Sequence, residues 1–380
     1  MSKFEIILLI ALFVLLLIIV WLCSKLYHKK KREKLLLDLD MGFEEIPDFY
    51  DVEGKIIYFN YERLDDKMKY IYNLIYEGVQ QAETIIEIGS CDQNTADIVF
   101  RSILLDHPEL FWLSGAYTFY TTDEGNKIKP VSIIKANSLE RYKSKLEKRI
   151  SAIIEGTAMA EDTYEKILMI HDYLVDHSEY DIKAKEKYSS NPMASTAYGC
   201  IVDNLAICAG YSKGFQLLLN RIGVSCGYVF GICNDGERHA WNYVRFGRDF
   251  YYVDVTFDDP LQKKSQYDNK SHRYFFVTTD DILKSREISK ENGFVPKCKS
   301  IKYNYFVYMG RYFKRYSVEE LRQLVEFNKD NQIEFRFATK DVYEEAVQGL
   351  FFNKECYDII RGHKVTYVRD DDFLVIELCY

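Results

Sequence analysis

The sequence predicts an α+β protein whose core is an apolar, cysteine-bearing helix packed on an antiparallel sheet that bears a histidine and an aspartate. Two observations predict this core. Phe215, Leu218, Leu219 and Ile222 recur at helical spacing after Cys208. Beyond Gly223 come three runs rich in β-formers, Val224–Gly231, Ala240–Val244 and Phe250–Val255. Turns at Asn234, Asp235 and Gly236 and around Gly247 separate them. A third observation sets the N-terminal flank: Ile6–Cys23 is a run of 18 residues without a charge.

Cys208, His239 and Asp254 are the residues in this core able to act together, at spacings of 31 and 15. Cys208 opens the helix, where the macrodipole and free backbone N–H groups favour a thiolate. His239 opens the middle apolar run, and Asp254 lies inside the next predicted strand, so neighbouring strands can set them side by side. A thiol nucleophile needs a base within hydrogen-bond reach, and that base needs a third group to hold its tautomer. A free cysteine is more often a small buried hydrophobe. Among nine cysteines, Cys208 is singled out by the two partners that follow it.

Three blocks carry a family resemblance: CAGYSKGF around Cys208, RHAWN around His239 and YYVDVTFDDP around Asp254. In order and spacing they resemble the transglutaminase-like superfamily of Cys-His-Asp proteins. IHDYLVDHSEYD (Ile170–Asp181) is similar to the helix that precedes the core in bacterial members, and DHPELFWL (Asp106–Leu113) to a further bacterial segment. The resemblance covers roughly Glu161 to Pro260. Ala209 stands where an acidic residue is common, and Phe257 where tryptophan is common. The resemblance implies a papain-like/transglutaminase-like core with a triad of Cys208, His239 and Asp254. That triad implies acyl transfer or hydrolysis at a protein or peptide amide through a Cys208 thioester. The Cys208 backbone N–H is one oxyanion donor and Tyr198 is a candidate for the second. Transamidation, deamidation and proteolysis stay open, because one triad serves all three. A catalytically silent scaffold that uses the fold to bind a protein is the alternative, since such folds can lose turnover.

The Ile6–Cys23 run is long enough to span a bilayer as a helix. Trp21, Leu22 and Cys23 offer no small-residue cleavage site, so an uncleaved anchor is expected. Lys25, Lys29, Lys30, Lys31, Arg32 and Lys34 follow it, which places the body on the cytoplasmic side; an extracytoplasmic body is the other possibility. This basic cluster is also suited to anionic lipid heads. Residues 35–380 hold 43 basic against 56 acidic residues, about −13, which argues against non-specific nucleic-acid binding. The odd cysteine count, without a CxxC pair, fits a reduced compartment. No cofactor is expected, and no metal: Cys226 and Cys233 fit no zinc knuckle, and His171 and His177 point to different faces of one helix.

The expected organisation is an anchor over 1–24, a basic segment over 25–42 and an α+β domain over 43–157. The catalytic core over 158–298 and a small α+β domain over 299–380 complete it. The first α+β domain reads as a strand at Lys55–Phe59, a helix through Leu64, Met68, Ile71, Ile75 and Val79, and a strand at Ile85–Ile88. A helix capped by Asp92, strands at Phe111–Tyr120 and Ile128–Ile134 and a helix opened by Ser138 follow. His171 lies in an amphipathic helix over Glu161–His177 and reads as a packed core group rather than a rival base. Lys183–Met193 and Gln262–Ser271 read as loops. Past Ile301 the pattern predicts a hairpin of Tyr305–Tyr308 with Tyr312–Tyr316. Capping boxes at Ser317/Glu320 and Asp341/Glu344 and strands through Ile333–Phe337, Val365–Val368 and Phe373–Leu378 end the chain.

Overall fold

The structure, a computed structural model, describes residues 55–259, 270–328, 330–360 and 364–380. The expected anchor and basic segment lie outside the described residues, as does most of the loop 262–271. Among the described residues, no helix is long and apolar enough to cross a membrane. Two compact units form, one whose described residues run from 55 to 299 and one whose described residues run from Ser300 to Tyr380. Residues 55–157 and 158–299 cluster together in the first unit.

In that unit, helix α1 (Asp66–Gln80) opens on Asp65, whose side chain accepts from Met68 N at 2.8 Å. Strand β1 (Ile86–Gly89) and helix α2 (Gln93–Asp106) follow, with Asp92 capping α2 through Thr95 N at 2.7 Å. Strands β2 (Leu113–Thr122) and β3 (Gly125–Ser132) complete an antiparallel sheet in the order β1-β3-β2. Helix α3 (Ala136–Gly156) buries Leu139, Leu146, Ile150 and Ile153. The strand expected over Lys55–Phe59 does not form. Phe59 instead starts a short helix, Phe59–Glu62, and stacks on Phe294 at 5.2 Å, with Tyr243 at 5.2 Å edge-on. Asp106 fixes this turn by accepting from Asn60 Nδ2 at 2.8 Å, Tyr61 N at 2.8 Å, Asn60 N at 3.2 Å and Tyr72 Oη at 3.2 Å. Tertiary packing and a buried carboxylate override a weak strand preference here.

Helix α4 (Thr163–His177) is capped by Asp162 through Glu165 N at 2.9 Å. Short parallel strands β4 (Glu179–Tyr180) and β5 (Leu205–Ala206) bracket a connection that holds a short helix, Ile182–Glu186, where a plain loop was expected. Helix α5 (Cys208–Arg221) then leads into strands β6 (Cys226–Cys233), β7 (Arg238–Phe246) and β8 (Asp249–Val253). After one turn of helix α6 (Val255–Asp258) come β9 (Phe275–Val277) and β10 (Arg286–Ile288). The sheet order is β10-β6-β7-β8-β9, antiparallel throughout.

Helix α5 lies on β6 and β7 with Phe215, Leu218 and Leu219 fully buried. Each such side chain contributes about 2 kcal/mol. Gly210 permits the close approach of the turn at Pro192–Ser195, since a Cβ there would lie 2.2 Å from the Ala194 carbonyl oxygen.

In the second unit the expected hairpin is replaced by a short helix, Tyr305–Tyr308, and by β11 (Tyr312–Phe313). Tyr305, Phe306 and Val307 are all buried, and consecutive burial suits a helical turn better than a strand with one wet face. Strand β11 runs parallel to β12 (Gln332–Phe337), and β13 (Thr366–Asp370) and β14 (Val375–Cys379) complete the order β11-β12-β14-β13. Helix α7 (Val318–Phe327) is capped by Ser317 as expected. Helix α8 (Lys340–Val347) is capped by Thr339 rather than Asp341, because the helix starts two residues earlier. Leu321, Leu324, Phe335, Phe337, Ile376 and Leu378 form this unit's core.

Asp106→Ala removes the acceptor for four donors in the first unit, three of them buried or part-buried backbone and amide groups. The expected loss is roughly 2–4 kcal/mol in urea unfolding. A loss below about 1 kcal/mol would show that water satisfies those donors.

Candidate active site

Helix α5 begins at Cys208, and the preceding residue, Ile207, makes no side-chain cap; Gly210 N instead donates to the Ile207 carbonyl at 2.8 Å. Of the eight described cysteines, seven are buried, and Cys208 is partly exposed. Burial pushes six of these thiols up, Cys233 to about 11 and Cys200 to about 12, which leaves them poor nucleophiles.

His239 stands near the start of β7, opposite Gly231 of β6. Strand β8 ends at Val253, opposite Asn242. Asp254 is the next residue, so it lies just past the strand rather than inside it, as the N-cap of α6. That position turns its carboxylate back toward β7. His239 Nε2 lies 2.7 Å from Asp254 Oδ2, with Asp254 fully buried. A carboxylate accepts, so Nε2 carries the proton and Nδ1 is the nitrogen left for the thiol. His239 feels the charge of Cys208. Burial alone would lower the His239 pKa, but Asp254 and Cys208 outweigh it and raise the value to about 9. Asn242 holds the frame: its Nδ2 donates to Ser212 O on α5 and Gly227 O on β6, each at 3.0 Å.

Arg286 on β10 is a residue the sequence reading missed. Its Nη1 donates to the same Asp254 Oδ2, while Asp254 Oδ1 accepts from Phe257 N at 3.1 Å. Burial opposes the Asp254 charge, but His239 and Arg286 hold the carboxyl well below the usual range. The guanidinium is 1% exposed and lies over Phe257 at 4.2 Å, Tyr274 at 5.0 Å and Trp241 at 5.1 Å. Phe257 also covers the His239 ring at 4.4 Å. No spacing rule points from Asp254 to a residue 32 positions later; the antiparallel β6–β10 pairing brings it in.

Tyr198 sits in a short helix, Ala197–Ile201, 2% exposed, with its ring 5.1 Å from Phe111 and 5.0 Å from Tyr142. These neighbours are outside the triad. The tyrosine beside Cys208 is Tyr180 of β4. Burial raises its pKa most, and then the Cys208 charge and hydrogen bonding to Cys208 act on it. Tyr228 of β6 is raised by burial and by the same thiol's charge. Tyr180 lies inside the block Ile170–Asp181, which was the available signal for it. His171 is fully buried and bonded to Asp172 and Asp258, as a packed core group. A cavity of about 350 Å³ lies at the far end of α5, lined by Leu217, Asn220 and Arg221 among others, away from Cys208.

Residues 151–255 match the family model described as the transglutaminase-like superfamily, and Cys208, His239 and Asp254 all lie inside that segment. No curated protein matches the chain. Among solved structures it is similar to one described as a TGase, at 15% identity, covering 49% of this chain and 53% of that one, with TM-score 0.29. It is also similar to "a Putative Cysteine Protease from Cytophaga hutchinsonii", at 15% identity, over 38% of this chain and 63% of that one, with TM-score 0.26. The chain therefore spans between about half and two thirds of the length of those structures.

Arg286→Met removes a cation from Asp254 and leaves His239 its only charged partner. The His239 pKa is expected to rise further above about 9, read by the imidazole resonances in an NMR titration. The variant also loses roughly 3–5 kcal/mol of stability, because one partner of a buried ion pair is gone. Since a raised histidine pKa stabilises the fold at low pH, the His239 contribution is present below about 6.5 and fades as pH passes about 9. A His239 pKa that falls in the variant would show that Arg286 does not share the Asp254 charge.

Proposed function

We propose that this chain is a membrane-anchored thiol enzyme that performs acyl transfer or hydrolysis at a protein or peptide amide. One observation carries the reading: the partly exposed cysteine opens a helix beside a histidine held at 2.7 Å by a buried aspartate. The Cys208 sulfur attacks the amide carbonyl carbon and forms the S–C bond. His239 Nδ1 takes the thiol proton and delivers it to the amide nitrogen as the C–N bond breaks. The thioester then passes its acyl group to an amine or to water, and the thiol is restored. The Cys208 backbone N–H and the Tyr180 hydroxyl are the donors proposed for the carbonyl oxygen. The scaffold alternative would gain from a buried Cys208 or a His239 turned away from it; the partial exposure of Cys208 supports the enzyme reading. The apolar run Ile6–Cys23 supports the anchor, and the bases after it support a cytoplasmic body.

Iodoacetamide is expected to label Cys208 of the full-length chain well ahead of the buried cysteines, as mass spectrometry of the peptides reads out. His239→Ala is expected to slow that labelling by 10-fold or more, and Cys208→Ala to abolish turnover. Asp254→Asn is expected to cost about 10²–10⁴ in kcat. Release of free amine from glutamine peptides, compared with incorporation of a fluorescent alkylamine, separates hydrolysis from transamidation. Labelling of Cys208 at the rate of the other cysteines, unchanged in His239→Ala, would overturn the enzyme reading.

A further inference from the structure

A second cluster of chemically active side chains lies between α4 and the segment after β8, and the thiol chemistry does not use it. His171 Nδ1 is 3.0 Å from Asp172 Oδ1, and His272 Nε2 is 2.9 Å from the same oxygen. One ligand atom from each of the three residues lies within 4.8 Å of the other two. His171 is fully buried, His272 is 8% exposed, and Asp172 opens partly to solvent. A tetrahedral ion with bonds of about 2.0–2.1 Å spaces its ligands about 3.3 Å apart, and an octahedral one spaces neighbours about 3.0 Å apart. The two separations at the Asp172 oxygen are within a few tenths of an ångström of these spacings, and the two histidine nitrogens, within 4.8 Å of each other, close on the ion by rotation of the Asp172 and His272 side chains.

The surrounding groups are arranged for the same task. Asp258 Oδ2 lies 3.2 Å from His171 Nε2, the ring nitrogen turned away from Asp172. A carboxylate on the far nitrogen holds the proton there and presents Nδ1 as a lone pair. Lys270 Nζ is 3.4 Å from Asp172 Oδ2 and 2.6 Å from Asp176 Oδ2, so Asp176 keeps it partnered when Asp172 turns to an ion. Asp172, Asp176 and Asp258 with Lys270 sum to −2 when both histidines are neutral, and a divalent cation balances that charge.

We propose that His171, Asp172 and His272 bind one divalent transition-metal ion, with Asp258 orienting His171 from behind. Two imidazoles and a carboxylate suit zinc, cobalt or manganese rather than calcium or magnesium. Binding expels to solvent the protons that stand between Asp172 and the two rings. The ion ties α4 to the segment just before β9, which reaches α6 through Ser271 N donating to Asp258 O at 3.0 Å, and Asp258 N in turn donates to Asp254 O at 3.2 Å. His171 and His272 are 101 residues apart, so the pairing is absent from any local spacing pattern.

The probes are Co²⁺ and Zn²⁺, added to the full-length chain after chelator treatment. One equivalent of Co²⁺ is expected to give weak d–d bands without a sulfur-to-cobalt charge-transfer band, unchanged in Cys208→Ala. Saturating Zn²⁺ is expected to raise Tm by about 5 °C. His272→Gln and Asp172→Asn are each expected to lower Co²⁺ affinity at least 100-fold, with their folds checked by circular dichroism. Absence of d–d bands in the unmutated chain overturns the proposal. So does a charge-transfer band that vanishes in Cys208→Ala, which puts the ion on the thiol. Full affinity in a folded Asp172→Asn chain overturns it as well.

Discussion

The Asp254 carboxylate is the constraint on which the rest of the site depends. It is fully buried, and an isolated ion there costs far more than any one contact returns. Three donors offset that cost: Phe257 N at one oxygen, His239 and Arg286 at the other. Each comes from a different element, α6, β7 and β10. Satisfying one carboxylate therefore sets the end of β8, the rotation of the His239 ring and the inward turn of Arg286 together. Half-satisfied, the same group would be worse than an apolar side chain.

Opposing effects meet at His239. Burial disfavours its charge, while the carboxylate and the thiol favour it more. Arg286 tempers the carboxylate, and Phe257 and Trp241 keep water from the His239–Asp254 bond. Electrostatic interactions strengthen in such a water-poor setting, so small rearrangements here have large effects on the histidine. Cys208 is placed differently, at a helix start with part of its surface open, where a carbonyl is able to reach it.

The six residues from Asp254 to Asp259 carry three carboxylates with three separate attachments. Asp254 faces β7 and β10, Asp258 faces His171 on α4, and Asp259 accepts from Tyr211 Oη of α5 at 2.5 Å. Two helices and the sheet are thereby fastened to one turn of chain.

The sequence by itself determined what depends on near neighbours. Helical period placed α4 and α5, Asp92 and Ser317 capped their helices, and turn residues separated β6, β7 and β8. Thus Cys208 comes at a helix start and His239 near a strand start, because these follow from local pattern. The strand through Asp254 ends two residues earlier than the pattern predicts, since a strand end and an N-cap look alike in sequence when the residues on both sides are apolar. Tyr305–Tyr308 misread as a strand because aromatic residues favour strands locally, whereas burial on consecutive positions selects a helix. Only the tertiary structure decided that Arg286 meets Asp254, that Tyr180 rather than Tyr198 stands beside Cys208, and that His272 joins His171. Those pairings depend on sheet order and helix docking across 28 to 101 residues. Contacts of that range leave no periodicity in the chain that makes them.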